Sequence, residues 1–81
     1  MTIERMFSAQ EEVFGFLTTQ PTPEQIIAFR PSQASQERMS FLLEKNRNGQ
    51  ISSDELEELD EYLRLGRFMN RLKIKAREKL S

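Results

Sequence analysis

From Ser53 to Leu80 the chain runs without a proline, and Leu56, Leu59, Tyr62, Leu63, Phe68, Met69, Leu72, Ala76 and Leu80 recur along it at helical steps. That period predicts a single amphipathic helix. At 1.5 Å per residue the helix would be about 42 Å long. A compact globule of 81 residues has a diameter of only about 30 Å. Either the helix kinks, with Gly66 the natural place, or its end projects beyond the core. A projecting helix with an apolar stripe invites a partner, a second copy of the chain included.

The residues before it divide into shorter helices. Ile3, Met6, Phe7, Val13, Phe14 and Leu17 fall at three- and four-residue steps, predicting a helix from about Ile3 to Leu17, with Gly15 weakening its end and Thr18-Thr19-Gln20-Pro21 stopping it. Thr22-Pro23-Glu24-Gln25 is a capping box with proline in the first helical position. The short helix it opens, carrying Ile26, Ile27 and Phe29, ends before Pro31, which disfavours helical geometry at the preceding residue. Ser32 caps a third helix through Met39, Leu42 and Leu43 to about Arg47. Asn48-Gly49 supplies the left-handed residue that ends it. After Ile51, Ser52-Ser53-Asp54-Glu55 is a second capping box, its carboxylates suited to a positive helix N-terminus.

No stretch alternates apolar and polar in the manner of a strand, and no repeat is visible. The expected architecture is therefore all-α: residues 1–81 as a single helical domain, a small bundle of about four helices. A central helical hairpin turns at Asn46-Arg47-Asn48-Gly49, and a long C-terminal helix ends in a basic extension over about 64–81.

Composition narrows the chemistry. The chain has no cysteine and no histidine, so disulfides, cysteine zinc sites and the usual general base are all missing. Serines are plentiful, but no base or oxyanion arrangement accompanies them. An enzyme is the least expected class, and no cofactor or metal is expected. No apolar run approaches the ~20 residues that cross a bilayer. The start, Met1 to Phe7, carries an acid and no long apolar stretch, so neither signal peptide nor membrane contact is expected. A cytoplasmic location is expected.

A net charge of −1 conceals a sorting of charge along the chain. Residues 50–63 hold Asp54, Glu55, Glu57, Glu58, Asp60 and Glu61 and no base; residues 64–81 hold Arg64, Arg67, Arg71, Lys73, Lys75, Arg77 and Lys79 against Glu78 alone. The basic run reads first as a partner-facing helix with complementary charge at its C-terminus. Its alternative is nucleic-acid binding through Arg67, Arg71, Lys73, Lys75, Arg77 and Lys79, with Arg67, Arg71 and Lys75 at i, i+4 and i+8 to neutralise phosphates in a row. Glu57 and Glu61 lie one turn apart in what reads as an exposed acidic face, able to meet a basic partner or the basic end of another copy. The phenylalanines are mostly expected in the core, except Phe16 and Phe41, which fall off the main apolar faces and are candidate exposed aromatic anchors.

A third alternative is a calcium loop. Glu44 to Glu55 puts Gly49 sixth, Ile51 eighth and Glu55 twelfth, with Asn46, Asn48 and Ser52 third, fifth and ninth. Against it, Glu44 is too long for the tight first position, Lys45 and Arg47 add positive charge, and no second loop exists to pair with. A helical hairpin with a glycine cap and a serine capping box accounts for Asn48, Gly49, Ser52 and Glu55 without a metal.

Several segments taken together carry a resemblance: Phe16-Leu17, Pro21-Thr22-Pro23-Glu24-Gln25-Ile26-Ile27, Phe29-Arg30-Pro31-Ser32, Gln36-Glu37-Arg38, Leu42-Leu43-Glu44-Lys45-Asn46-Arg47, Glu55-Leu56-Glu57-Glu58-Leu59-Asp60-Glu61-Tyr62 and Leu72-Lys73-Ile74-Lys75-Ala76-Arg77. Over roughly residues 11–80 the chain resembles a family of very small, poorly characterised bacterial helical proteins. Some of these are antitoxin-like, encoded beside a small nuclease-like or other toxin-like gene. The family usually has proline where Ser53 stands, and a double leucine where this chain has Arg71-Leu72. The resemblance implies a protein partner and offers no active site to transfer. The expected function is thus a non-catalytic protein–protein interaction module, an antitoxin-like regulator neutralising a toxin-like enzyme. Its binding face would be Arg64, Leu65, Arg67, Phe68, Met69, Arg71, Leu72, Lys75 and Ala76, an amphipathic helix laid into a groove.

Overall fold

Local chemistry starts the second, third and fourth helices of the computed structural model, which describes residues 2–81, with side chains from Ala9 onward. The helices are α1 (Thr2–Leu17), α2 (Pro23–Ala28), α3 (Gln33–Arg47) and α4 (Ser53–Leu80), and no strand occurs among the described residues. Thr22 accepts from the Gln25 amide at 3.2 Å while Gln25 accepts from the Thr22 amide at 2.9 Å, the reciprocal pair of a capping box. Ser52 and Glu55 do the same for α4, at 3.1 and 3.0 Å. Gly49 takes φ +70°, and the Gln50 amide reaches back to the Lys45 carbonyl at 2.9 Å. These bonds satisfy carbonyls that the end of α3 would otherwise leave orphaned.

Cross-connections fix the topology. Arg38 bonds Glu58 and Lys45 bonds Glu55, so α3 and α4 form an antiparallel hairpin. Gln10 donates to Glu61, and Lys73, further along α4, donates to the Phe29 carbonyl just past α2. Helix α1 therefore runs in the same sense as α4, and α2 closes the basic half. Helix α4 passes through Gly66 as one continuous α-helix of 28 residues. It accounts for the long axis of a molecule measuring 44 × 23 × 18 Å. The radius of gyration is 14.1 Å, against about 12 Å for a compact chain of this length.

Elongation limits what can be buried. The accessible surface is 6020 Å², where a compact monomer of this mass would show about 5100 Å². Ala9, Val13, Leu42, Leu59, Met69 and Ala76 form the buried core. The expectation of mostly buried phenylalanines is corrected: Phe14 (53%) and Phe68 (45%) are exposed, whereas Phe41 (48%) is exposed as expected. Phe16, expected as an exposed anchor, instead stacks on Phe29 with ring centroids 4.6 Å apart. Leu56, read as part of the apolar face, is also exposed. A bundle only two helices thick has room inside for a narrow stripe of each helix. The side chains of Ile3, Met6 and Phe7 lie outside the described residues. Among the described residues no helix is long and apolar enough to cross a membrane.

Candidate functional site

The inward seam of α4 is Glu58, Tyr62, Leu65, Met69, Leu72 and Ala76, spaced 4, 3, 4, 3 and 4 residues apart. Glu58 is the anomaly in it. One of the acids clustered in residues 50–63, it is 1% exposed and accepts a bidentate pair from Arg38, both bonds at 2.8 Å. A buried carboxylate needs such a partner. The hydrogen bond to Glu58 raises the Arg38 guanidinium above its ordinary value. Burial, then the Glu58 charge, pushes the neighbouring Tyr62 hydroxyl up as well.

A second polar cluster ties α1 to the start of α3. Glu12 accepts from the Ser32 amide at 2.9 Å, the Ser32 hydroxyl at 2.6 Å and the Ser35 hydroxyl at 2.9 Å. Burial pushes the Glu12 carboxyl up, but these three bonds outweigh it and hold it below its usual value. Every described buried side-chain polar atom has a partner. The two clusters lock α1 and α3 onto one side of α4 and leave its other side uncovered.

That uncovered side carries most of the expected binding residues. Arg64, Arg67, Phe68, Arg71 and Lys75 are exposed, Leu65 and Leu72 are half-buried, and Met69 and Ala76 are buried at 6% and 3%. The last two belong to the core, so they drop out of the accessible face; helical periodicity turns them toward α1 and α2. Ile74, 53% exposed, joins it. Arg64 spans Asp60 at 3.0 Å and Glu61 at 3.3 Å, and Lys75 lies 3.7 Å from Glu78. Arg67 and Arg71 make no ion pair among the described residues. Of the residues in the nucleic-acid alternative, Lys73 is half-buried and bonded to the Phe29 carbonyl at 3.0 Å, while Arg77 and Lys79 are exposed.

In the calcium-loop stretch, the two carboxylates at ligand positions, Glu44 and Glu55, are both engaged by cations. The Ser52 amide and then Lys45, at 2.9 Å, hold the Glu55 carboxyl down to about 2, and Arg47 meets Glu44 at 3.0 Å. Among the described residues no group of three or more acids stands ready for a metal. Phe41 lies beneath two cations, with Arg38 5.2 Å and Lys45 5.3 Å from its ring centroid. Its exposed face is therefore a built part of the hairpin surface.

A groove unforeseen from sequence opens between α1, α3 and α4. About 410 Å³ in volume, it is lined by Val13, Phe29, Met39, Leu63, Gly66 and Met69 among others. A Cβ added at Gly66 would meet nothing within 4 Å, so this glycine leaves space beside a continuous helix. Two features of the sequence mark the buried acid and the groove. Glu58 sits in step with Tyr62, Met69 and Ala76, and an acid in an apolar seam asks for a cation. Gly66 sits on the same side of α4 as Leu59, Tyr62 and Lys73. Comparisons with protein-family profiles, with curated proteins and with solved structures find no match for this chain.

Proposed function

We propose that this chain is a non-catalytic protein–protein interaction module of the antitoxin-like kind, working in the cytoplasm and neutralising a toxin-like enzyme through the exposed face of α4. The observation that carries the reading is that face itself. It presents Phe68 and Ile74 to solvent beside Arg67 and Arg71, which are unpaired among the described residues. Lone exposed apolar residues are ordinary; aromatic and arginine residues together are the composition of binding hot spots. The resemblance over residues 11–80 points to the same kind of partner. Phe68→Ala combined with Ile74→Ala, both exposed positions, is expected to release any protein that co-purifies with the tagged chain from its source cells. Full retention of every such protein would contradict the reading.

One observation favours nucleic acid as the second reading: Arg67, Arg71 and Lys75 are all exposed, in a row on one helix. Three phosphate contacts would give log affinity falling against log salt with a slope of roughly −2 to −3. A flat salt response, or no binding to DNA or RNA, dismisses it.

A further inference from the structure

The outer stripe of α4 reverses its charge at its midpoint. Glu57, Glu61, Arg64, Phe68, Arg71 and Lys75 follow at steps of 4, 3, 4, 3 and 4 residues, the spacing of a coiled-coil seam. All are exposed except Glu61, which is half-buried against Gln10. We propose that this stripe pairs with the same stripe of a second copy, antiparallel, about a two-fold axis at the level of Gly66. The proposal rests on reading the exposed face of α4 as an interaction surface, and it names the occupant.

Charge complementarity selects the geometry. In this register Glu57 faces Lys75 of the other copy, Glu61 faces Arg71, and Arg64 lies over the Phe68 ring. The two-fold axis repeats each pair. A parallel arrangement would set Glu57 on Glu57 and Arg71 on Arg71. Sliding the antiparallel pair one heptad toward the basic ends would put Arg64 opposite Lys75. The adjacent stripe, through Asp60, Arg64, Arg67 and Arg71, would bring Arg64 against Arg67 in its own symmetric register. Glu57 and Arg71 make no ion pair within the chain among the described residues, so both are free to meet a partner. Phe68, 45% exposed, gains a cover and a cation–π neighbour. The sorting of acids before residue 64 and bases after it thereby acquires a use, since antiparallel helices need that reversal. Arg67 lies on the flank, where the two copies place like charges near each other. The pair is accordingly weak and exchangeable, and an enzyme partner can displace it.

An ionic seam is governed by screening. The Debye length shrinks from about 30 Å at 0.01 M salt to about 3 Å at 1 M. Sedimentation velocity on the full chain is expected to show dimer at the lower ionic strength and monomer at the higher. Glu57→Lys and Lys75→Glu are each expected to weaken self-association at least about tenfold. Both positions are exposed, so circular dichroism should show the helix content unchanged. The double variant Glu57→Lys with Lys75→Glu is expected to restore the dimer, which only the antiparallel register allows. A monomer at low ionic strength, or a double variant no better than the singles, overturns the proposal. If the chain is monomeric yet Phe68→Ala with Ile74→Ala still releases a co-purifying protein, self-pairing falls and the interaction reading stands. If neither effect appears, both fall.

Discussion

Replacing Arg38 by alanine would leave the Glu58 carboxylate 1% exposed without the two 2.8 Å bonds that compensate its burial. Removing one member of a buried pair costs about 3–5 kcal/mol. Here Arg38 is itself 21% exposed, so water reaches the vacated end and the low figure, about 3 kcal/mol, is expected. An 81-residue chain has a total stability of roughly 4–12 kcal/mol, so this one change removes a quarter or more of it. Urea unfolding followed by far-ultraviolet circular dichroism reads the effect directly. With a slope of roughly 1 kcal/mol per molar urea, the midpoint should fall by about 3 M. Arg38→Met combined with Glu58→Leu removes both charges while filling a similar volume, and should return to within about 1 kcal/mol of wild type. The reasoning is refuted if Arg38→Ala costs under about 1 kcal/mol, the value of an exposed surface pair. It is equally refuted if the double replacement is no more stable than the single.

The two glycines near α4 should respond oppositely to alanine. Gly49→Ala forces a side chain into φ +70° with no steric neighbour, and thermal melts should show a loss of about 1–2 kcal/mol. Gly66→Ala adds a methyl in open space on a continuous helix and should gain up to about 1 kcal/mol; a loss would mean that Gly66 serves as a bend. Glu12 and Glu55 both have depressed values in the folded chain. Their contribution is present above the unfolded carboxylate range and is lost as pH falls through the folded values. Stability should therefore decline from about pH 5 toward pH 2, with Glu55→Gln flattening the lower part of that decline, where the folded value is about 2. Ser52→Ala removes the acceptor for the Glu55 amide and should cost about 1 kcal/mol in the same melts.

The helix boundaries were legible because they are written in local chemistry. Thr22-Pro23-Gln25, Ser52-Glu55 and Gly49 each act within five residues, and the expected helices agree with the observed ones closely. Burial was less legible, because periodicity gives the direction of a face and not its width. Phe14 and Leu56 lie at the margins of correctly read faces, and the thin bundle leaves them outside. Phe16 looked off-face, yet Phe29 arrives from beyond α2 to stack on it. That contact depends on the return of the chain rather than on α1 alone. Of the candidate site, the exposed cations and Phe68 followed from the pattern, whereas Met69 and Ala76 were assigned outward although they share the step of Glu58 and Tyr62. The Arg38–Glu58 pair was hidden because it joins residues twenty apart, and within its own segment Glu58 looks like any member of an acidic run.

Binding on the exposed face of α4 is what the proposed function requires. Two-dimensional ¹⁵N–¹H spectra of the chain, recorded while adding a partner captured from its source cells, read that requirement residue by residue. The shifts and broadening should concentrate on Arg64, Arg67, Phe68, Arg71 and Lys75, with Gln33, Glu37 and Ser40 on the exposed side of α3 left in place. Perturbation centred on the α3 residues, with the α4 face unmoved, would contradict it.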